Sequence, residues 1–274
     1  MTKLTLFNLL KYTIYALLLY DAYQYFQADL ANAKQLLAAG ATYRELAHSF
    51  AISLDVTAWL VLLFCFELET AWISPAKMKG TLLWGLHGVR AVCYFFVLFS
   101  FYGYIAKYLM LTRTEPFNAP DLCALVDAGY SYLKGLDEYL PLTAESCQRF
   151  EGLALVKLKG ASILSDLEHL KDARLMALVD VVNSATWLLV VAMLELDVYF
   201  KEHAGLKGWI LRASEAINIV LYLILLAVAI FYGVWGEFLD FWDSFLWLAA
   251  FVLIDLNVLG IVNESQSPSK SSPA

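Results

Sequence analysis

Charge is scarce in this chain. Of 274 residues, 19 are Lys or Arg and 26 are Asp or Glu, which makes 16% charged. A soluble domain carries about 25%. The shortfall excludes an ordinary water-soluble globule. The net charge of −7 leaves no basic footprint, which excludes nucleic acid as a partner. Histidine is equally sparse. His48, His87, His169 and His203 are scattered, and none has the His-x₃-His or Cys-x₂-Cys spacing of a zinc site. No metal and no cofactor is expected. The chain has no Gly-rich phosphate loop, nucleophile elbow or Cys-His pattern, so no catalytic residue stands out and an enzyme is not expected. No helix carries a cation at every third position, as a voltage sensor requires.

What the chain has instead is apolar length. It is 61% hydrophobic, with a mean hydropathy of +0.62. The apolar residues fall in six blocks, at 4–26, 49–70, 82–108, 177–200, 209–235 and 241–262. A helix needs about 20 apolar residues to span a bilayer, whereas a barrel strand needs about 10 that alternate. These blocks are long and do not alternate, so they predict six transmembrane helices. The first block resembles a signal sequence, since Ala31-Asn-Ala33 has the form of a cleavage site. Its greater length and its place in a repeat favour an uncleaved helix.

Orientation follows from the cations. Lys77, Lys79, Lys201 and Lys207 lie in the short loops at 71–80 and 201–208, with Arg212 just beyond. Short basic loops stay in the cytoplasm, which places both termini there. The expectation is an integral protein of a plasma membrane or a bacterial inner membrane. Residues 27–48, 109–176 and 236–240 then face outward.

The stretch 27–48 is expected to form an outer amphipathic helix. The longer stretch, 109–176, reads as a small helical cap. Asn118-Ala-Pro-Asp121 suggests one helix start and Ser165-Asp-Leu-Glu168 a capping box that opens another. Cys123 and Cys147 both lie in this outer segment and can pair in an oxidising compartment. Cys65 and Cys93 lie in the apolar blocks as small fillers. The Ser- and Pro-rich tail, 265–274, has the composition of a disordered segment.

The apolar blocks also repeat. "WLVLLFCFELE" at 59–69 returns as "WLLVVAMLELD" at 187–197 and "WLAAFVLIDLN" at 247–257. Four residues before each Trp stands Asp55, Asn183 or Asp243. The odd-numbered blocks have a weaker counterpart in "NLLKYTIY" at 8–15, "HGVRAVCY" at 87–94 and "EAINIVLY" at 215–222. This predicts an all-α protein of three parallel helical hairpins, at 1–75, 76–203 and 204–264, about a pseudo-threefold axis.

The repeat puts acids at one depth. Glu67, Glu195 and Asp255 recur on the even helices, and Lys11, Arg90 and Asn218 face them on the odd ones. Glu67 lies twelve residues inward of Asp55, ~18 Å at 1.5 Å per residue. A lone charge there costs about 2.5–3.5 kcal/mol, so pairing is expected. Lys11 and Arg90 are assigned to Glu67 and Glu195 without deciding which takes which. Asp255 faces Asn218 and has no matching base, while Glu215 adds a further acid. Asp255 is therefore the leading candidate for an ion path, with Asp55, Asn183 and Asp243 at its outer mouth. Glu69, Asp197 and Asn257 point away from the first acids, towards the inner surface. Trp59, Trp187 and Trp247 fit an interfacial belt. The function expected is membrane transport of protons or small cations through buried carboxylates. The alternative is a membrane scaffold or sensor subunit that binds a protein partner through its cap.

Overall fold

A computed structural model describes residues 3–38, 50–73, 79–119, 121–135, 139–150, 152–203, 208–235 and 238–258. It is mostly helical and includes a small sheet. The tail at 265–274 and the loop cations Lys77 and Lys207 lie outside the described residues.

Every apolar block forms a helix, and most run past the expected limits. They are α1 (Lys3–Ala38), α2 (Ala51–Glu67), α3 (Thr81–Thr112), α5 (Leu167–His203), α6 (Gly208–Trp235) and α7 (Phe238–Val258). A short helix, α4 (Ala144–Arg149), lies between α3 and α5. Residues 27–38 continue α1 rather than starting a separate outer helix, and 39–49 lie outside the described residues.

Among the described residues, three helices are long and apolar enough to cross a membrane: Thr81–Thr112, Leu167–Leu196 and Arg212–Trp235. The expected six are not matched by this measure. The helices that fall short are shorter or carry charge. α2 has 17 residues before its geometry changes. α1 includes Lys11, Asp21 and Asp29, and the side chains of α7 are described only as far as Leu253. Large apolar side chains face outward along the spanning helices, such as Phe95 on α3 and Ile219 on α6. Such a surface suits lipid and is costly in water.

The chain divides into two compact units. One comprises Met1–Val97 with Leu189–Ala274, and the other Leu98–Leu188. In the first, α1 packs against both α2 and α7, and α7 also packs against α6. α2 ends in a π-helical turn, Leu68–Trp72, closed by Ile73 N–H donating to Leu68 O at 2.9 Å.

The second unit corrects the expected helical cap. It holds a five-stranded mixed sheet: β1 (Thr114–Phe117), β2 (Ser131–Leu133), β3 (Tyr139–Pro141), β4 (Leu155–Leu158) and β5 (Ile163–Asp166). The strand order is β1-β4-β5-β2-β3, antiparallel except for the β2–β5 pair. β4 and β5 form a hairpin that turns through Gly160, whose φ of +83° disfavours any side chain. Both faces of the sheet are covered by apolar clusters. Leu133 and Leu158 pack on Leu111, Leu170 and Ala173 from the adjoining ends of α3 and α5. Leu164 on the other face packs with Leu122, Cys147 and Phe150. Arg174 fastens the first face, with Nε donating to Leu111 O at 2.8 Å.

The expected helix starts also shift. No helix begins at Asn118. A single 3-10 turn, Cys123–Leu125, follows instead, capped by the Asp121 carboxylate. Ser165 belongs to β5, and the cap of α5 is Asp166, whose Oδ1 accepts from the N–H groups of Glu168 and His169. The disulfide Cys123–Cys147 is present, with its Cα atoms 5.1 Å apart. Cys65 and Cys93 are free and buried.

Candidate functional site

Two constellations of polar side chains lie inside the helical unit. The first centres on Glu67. Lys11 Nζ lies 2.6 Å from Glu67 Oε1, and each residue is only 5% exposed. Tyr12 OH donates to Glu67 Oε1 and Tyr15 OH to Oε2, each at 3.3 Å. The Lys11 ammonium also sits over the Tyr12 ring, 4.9 Å from its centroid. The carboxylate is thus neutralised and hydrogen-bonded in one place, as a buried charge must be. Lys11 and Tyr15 are four residues apart on α1 and Tyr12 is three before Tyr15, so adjacent turns of the helix bring all three to Glu67.

The partner expected of Arg90 is corrected. Arg90 Nη2 donates to Glu69 Oε2 at 2.7 Å, rather than to Glu67 or Glu195. Glu69 lies in the π-helical turn, where the wider winding changes the angle at which side chains leave the axis. The regular-helix reading that turned Glu69 away from its neighbour does not apply there. Glu195 accepts from Tyr94 OH at 2.8 Å and is exposed.

The second constellation, which in the orientation expected from the sequence is the outer one, joins α1, α2 and α7. Tyr25 OH donates to Asp240 Oδ1 at 2.8 Å across α1 and α7. One turn deeper on each helix stand Asp21, four residues before Tyr25, and Asp243, three residues after Asp240. Asp21 is 1% exposed, and its Oδ2 has no hydrogen-bond partner among the described residues. Asp243 Oδ1 accepts from Trp247 Nε1 at 3.1 Å. The Trp247 ring meets the Trp59 ring edge-on at 6.3 Å, which ties α7 to α2. Asp243 lies within electrostatic reach of Asp21, Asp240 and Asp55. Further out, Asp29 accepts from Ser53 N at 3.0 Å and Ser53 Oγ at 2.5 Å.

The remaining candidates do not join one site. Asn218 is half-buried on α6 with Oδ1 lacking a hydrogen-bond partner among the described residues, and Glu215 is exposed on the same helix. Asn183 belongs to the other unit, where its Oδ1 also lacks one. Asp255 lies in the last turns of α7, where the description covers the backbone alone and its side chain lies outside it. Trp187 is buried rather than displayed at a surface.

Asp21 was not singled out by the repeat, because the positions equivalent to it hold Ser100 and Val228. The signal that finds it is simpler. It is an acid inside an apolar block, and such an acid is a functional candidate by default. Among the described residues, no three His, Cys, Asp or Glu side chains are grouped to hold a metal ion. No protein-family model, curated protein or solved structure matches this chain.

Proposed function

We propose that this chain is a non-enzymatic membrane transport protein for protons or small cations, and that its helices work by means of buried carboxylates. The observation that carries this reading is the outer constellation, where Asp21 is held almost fully out of solvent with an oxygen left unbonded. A group so costly to bury is retained where it meets a mobile charge. In this reading six helices cross the membrane as three parallel hairpins, both termini are cytoplasmic and the sheet-bearing unit lies outside.

The recurrence of one contact supports the hairpin arrangement. Tyr15 donates to Glu67 and Tyr94 donates to Glu195. These are the same two positions of the first and second repeats. The acids carried by α1 and α7 fit helices that line a polar route and are shielded by more apolar neighbours.

The test is ion flux into liposomes that hold the purified protein. Proton or small-cation uptake above that of empty liposomes is expected. Intact protein that passes no proton and none of the common cations overturns the reading. A second reading has its own support: Lys11 and Glu67 form a satisfied pair, which suits a rigid anchor, and the sheet-bearing unit has its own core and disulfide. In that case the protein is a membrane scaffold or sensor that engages a partner through its cap. Absent flux with saturable binding of a partner to the cap is its expected result.

A further inference from the structure

We propose that Asp21 and Asp243 form a carboxylate dyad that binds a proton between α1 and α7, so that the charge handled by these helices is the proton and not a metal cation. The site stands on register and burial. The Tyr25–Asp240 bond fixes α1 against α7, and one turn further along each helix this register sets Asp21 on α1 and Asp243 on α7 at the same level, within electrostatic reach of one another. Asp21 is shut from solvent with Oδ2 unbonded. A buried oxygen of this kind is satisfied when the carboxyl carries a proton or accepts one from its neighbour.

The groups around the dyad add no positive charge. α1 contributes Tyr25, α2 contributes Asp55 and α7 contributes Asp240. α6 brings Tyr232 to the same end, since neighbouring Gly233 lies against Phe241. The cations on these four helices are Lys3, Lys11, Lys34 and Arg212. Those on α1 lie ten or more residues from Asp21, at least ~15 Å along the helix, and Arg212 is twenty residues from Tyr232. Two carboxylates in such surroundings cannot both ionise cheaply, and sharing a proton removes the conflict. A metal ion needs several oxygens converging on one point, and the described acids are not grouped in that way. Trp247 Nε1–H donates to Asp243 and holds it in place. The proton site stands by itself, and its use as a step in transport rests on the proposed function.

The test is infrared difference spectroscopy of the full-length protein in lipid, following the carbonyl stretch of protonated carboxyls as pH is stepped through neutrality. Wild type, Asp21→Asn and Asp243→Asn are compared. A protonated-carboxyl signal in the wild type at neutral pH that is lost in each variant is expected. Absence of the signal in wild type, or its persistence in both variants, overturns the dyad. Sodium, potassium and calcium are then added in turn. A signal indifferent to them supports a proton site, and saturable loss of the signal on cation binding overturns it. Should Asp21→Asn not fold, Asp243→Asn decides. Proton uptake by the same liposomes separates the two ideas. The expected signal without uptake leaves the dyad standing and overturns transport. Uptake unchanged by loss of the signal leaves transport standing and overturns the dyad as its proton step.

Discussion

At the scale of single residues, the interior of the helical unit is governed by how each buried charge is met. Glu67 has a cation and two hydroxyls, Glu69 has a guanidinium, and Asp29 has a serine hydroxyl and its N–H. Breaking a buried pair from one side leaves an uncompensated charge, which costs about 3–5 kcal/mol. Lys11→Met is therefore expected to destabilise the protein by roughly that amount, read from denaturation in detergent. Adding Glu67→Gln removes the stranded charge and should recover most of the loss. Equal losses in the single and double variants would show that packing of the lysine stem, not charge, is what Met fails to replace. That Lys11 meets one of the deep acids is legible in the sequence, because a lone charge at that depth needs a partner, but its choice of Glu67 over Glu195 is not. The choice of Arg90 is not legible, since it depends on a local change of helical winding at Leu68–Trp72.

At the scale of elements, the sheet-bearing unit shows the value of cross-links in a small domain. Its strands have three or four residues, too short for a hydrophobic face to hold them alone. The disulfide joins the 3-10 turn to α4 over the outer face of the sheet. Replacing Cys123 and Cys147 with Ala is expected to cost the unit about 2–4 kcal/mol, measured by its chemical unfolding. Alkylation of the denatured, unreduced protein should label Cys65 and Cys93 alone, and labelling of all four cysteines would contradict the bridge. The pairing was legible from cysteine placement, but the sheet was not. Segments such as 155–158 and 163–166 are short, and the capping signal at 165–168 drew attention to the helix that follows. The hairpin signal was Gly160, flanked by alternating apolar residues.

At the scale of the whole molecule, three helices long and apolar enough to cross a membrane and the outward apolar side chains are consistent with membrane association. The sidedness proposed above makes a direct prediction. The native thiols are either buried or bridged, so single introduced cysteines can report on topology. In intact cells a reporter at the exposed Ala128 should react with an impermeant reagent added outside, and one at Ser271 only after the membrane is opened. The reverse pattern would invert the orientation and place the cations of the short loops outside.

Composition and periodicity alone determined that the chain is mostly helical, with helices long and apolar enough to cross a membrane, because apolar length in a low-charge sequence has few other uses. They also placed the recurring acids on their helices and the two cysteines in one loop. Only the tertiary structure decided which charges meet. Partner choice depends on the rotation, register and winding of neighbouring helices, and the Arg90–Glu69 pair turns on a local change of winding. The Asp21–Asp243 approach turns on register. Its residues are 222 positions apart, and they come together only when α1 packs on α7 in the register held by Tyr25 and Asp240.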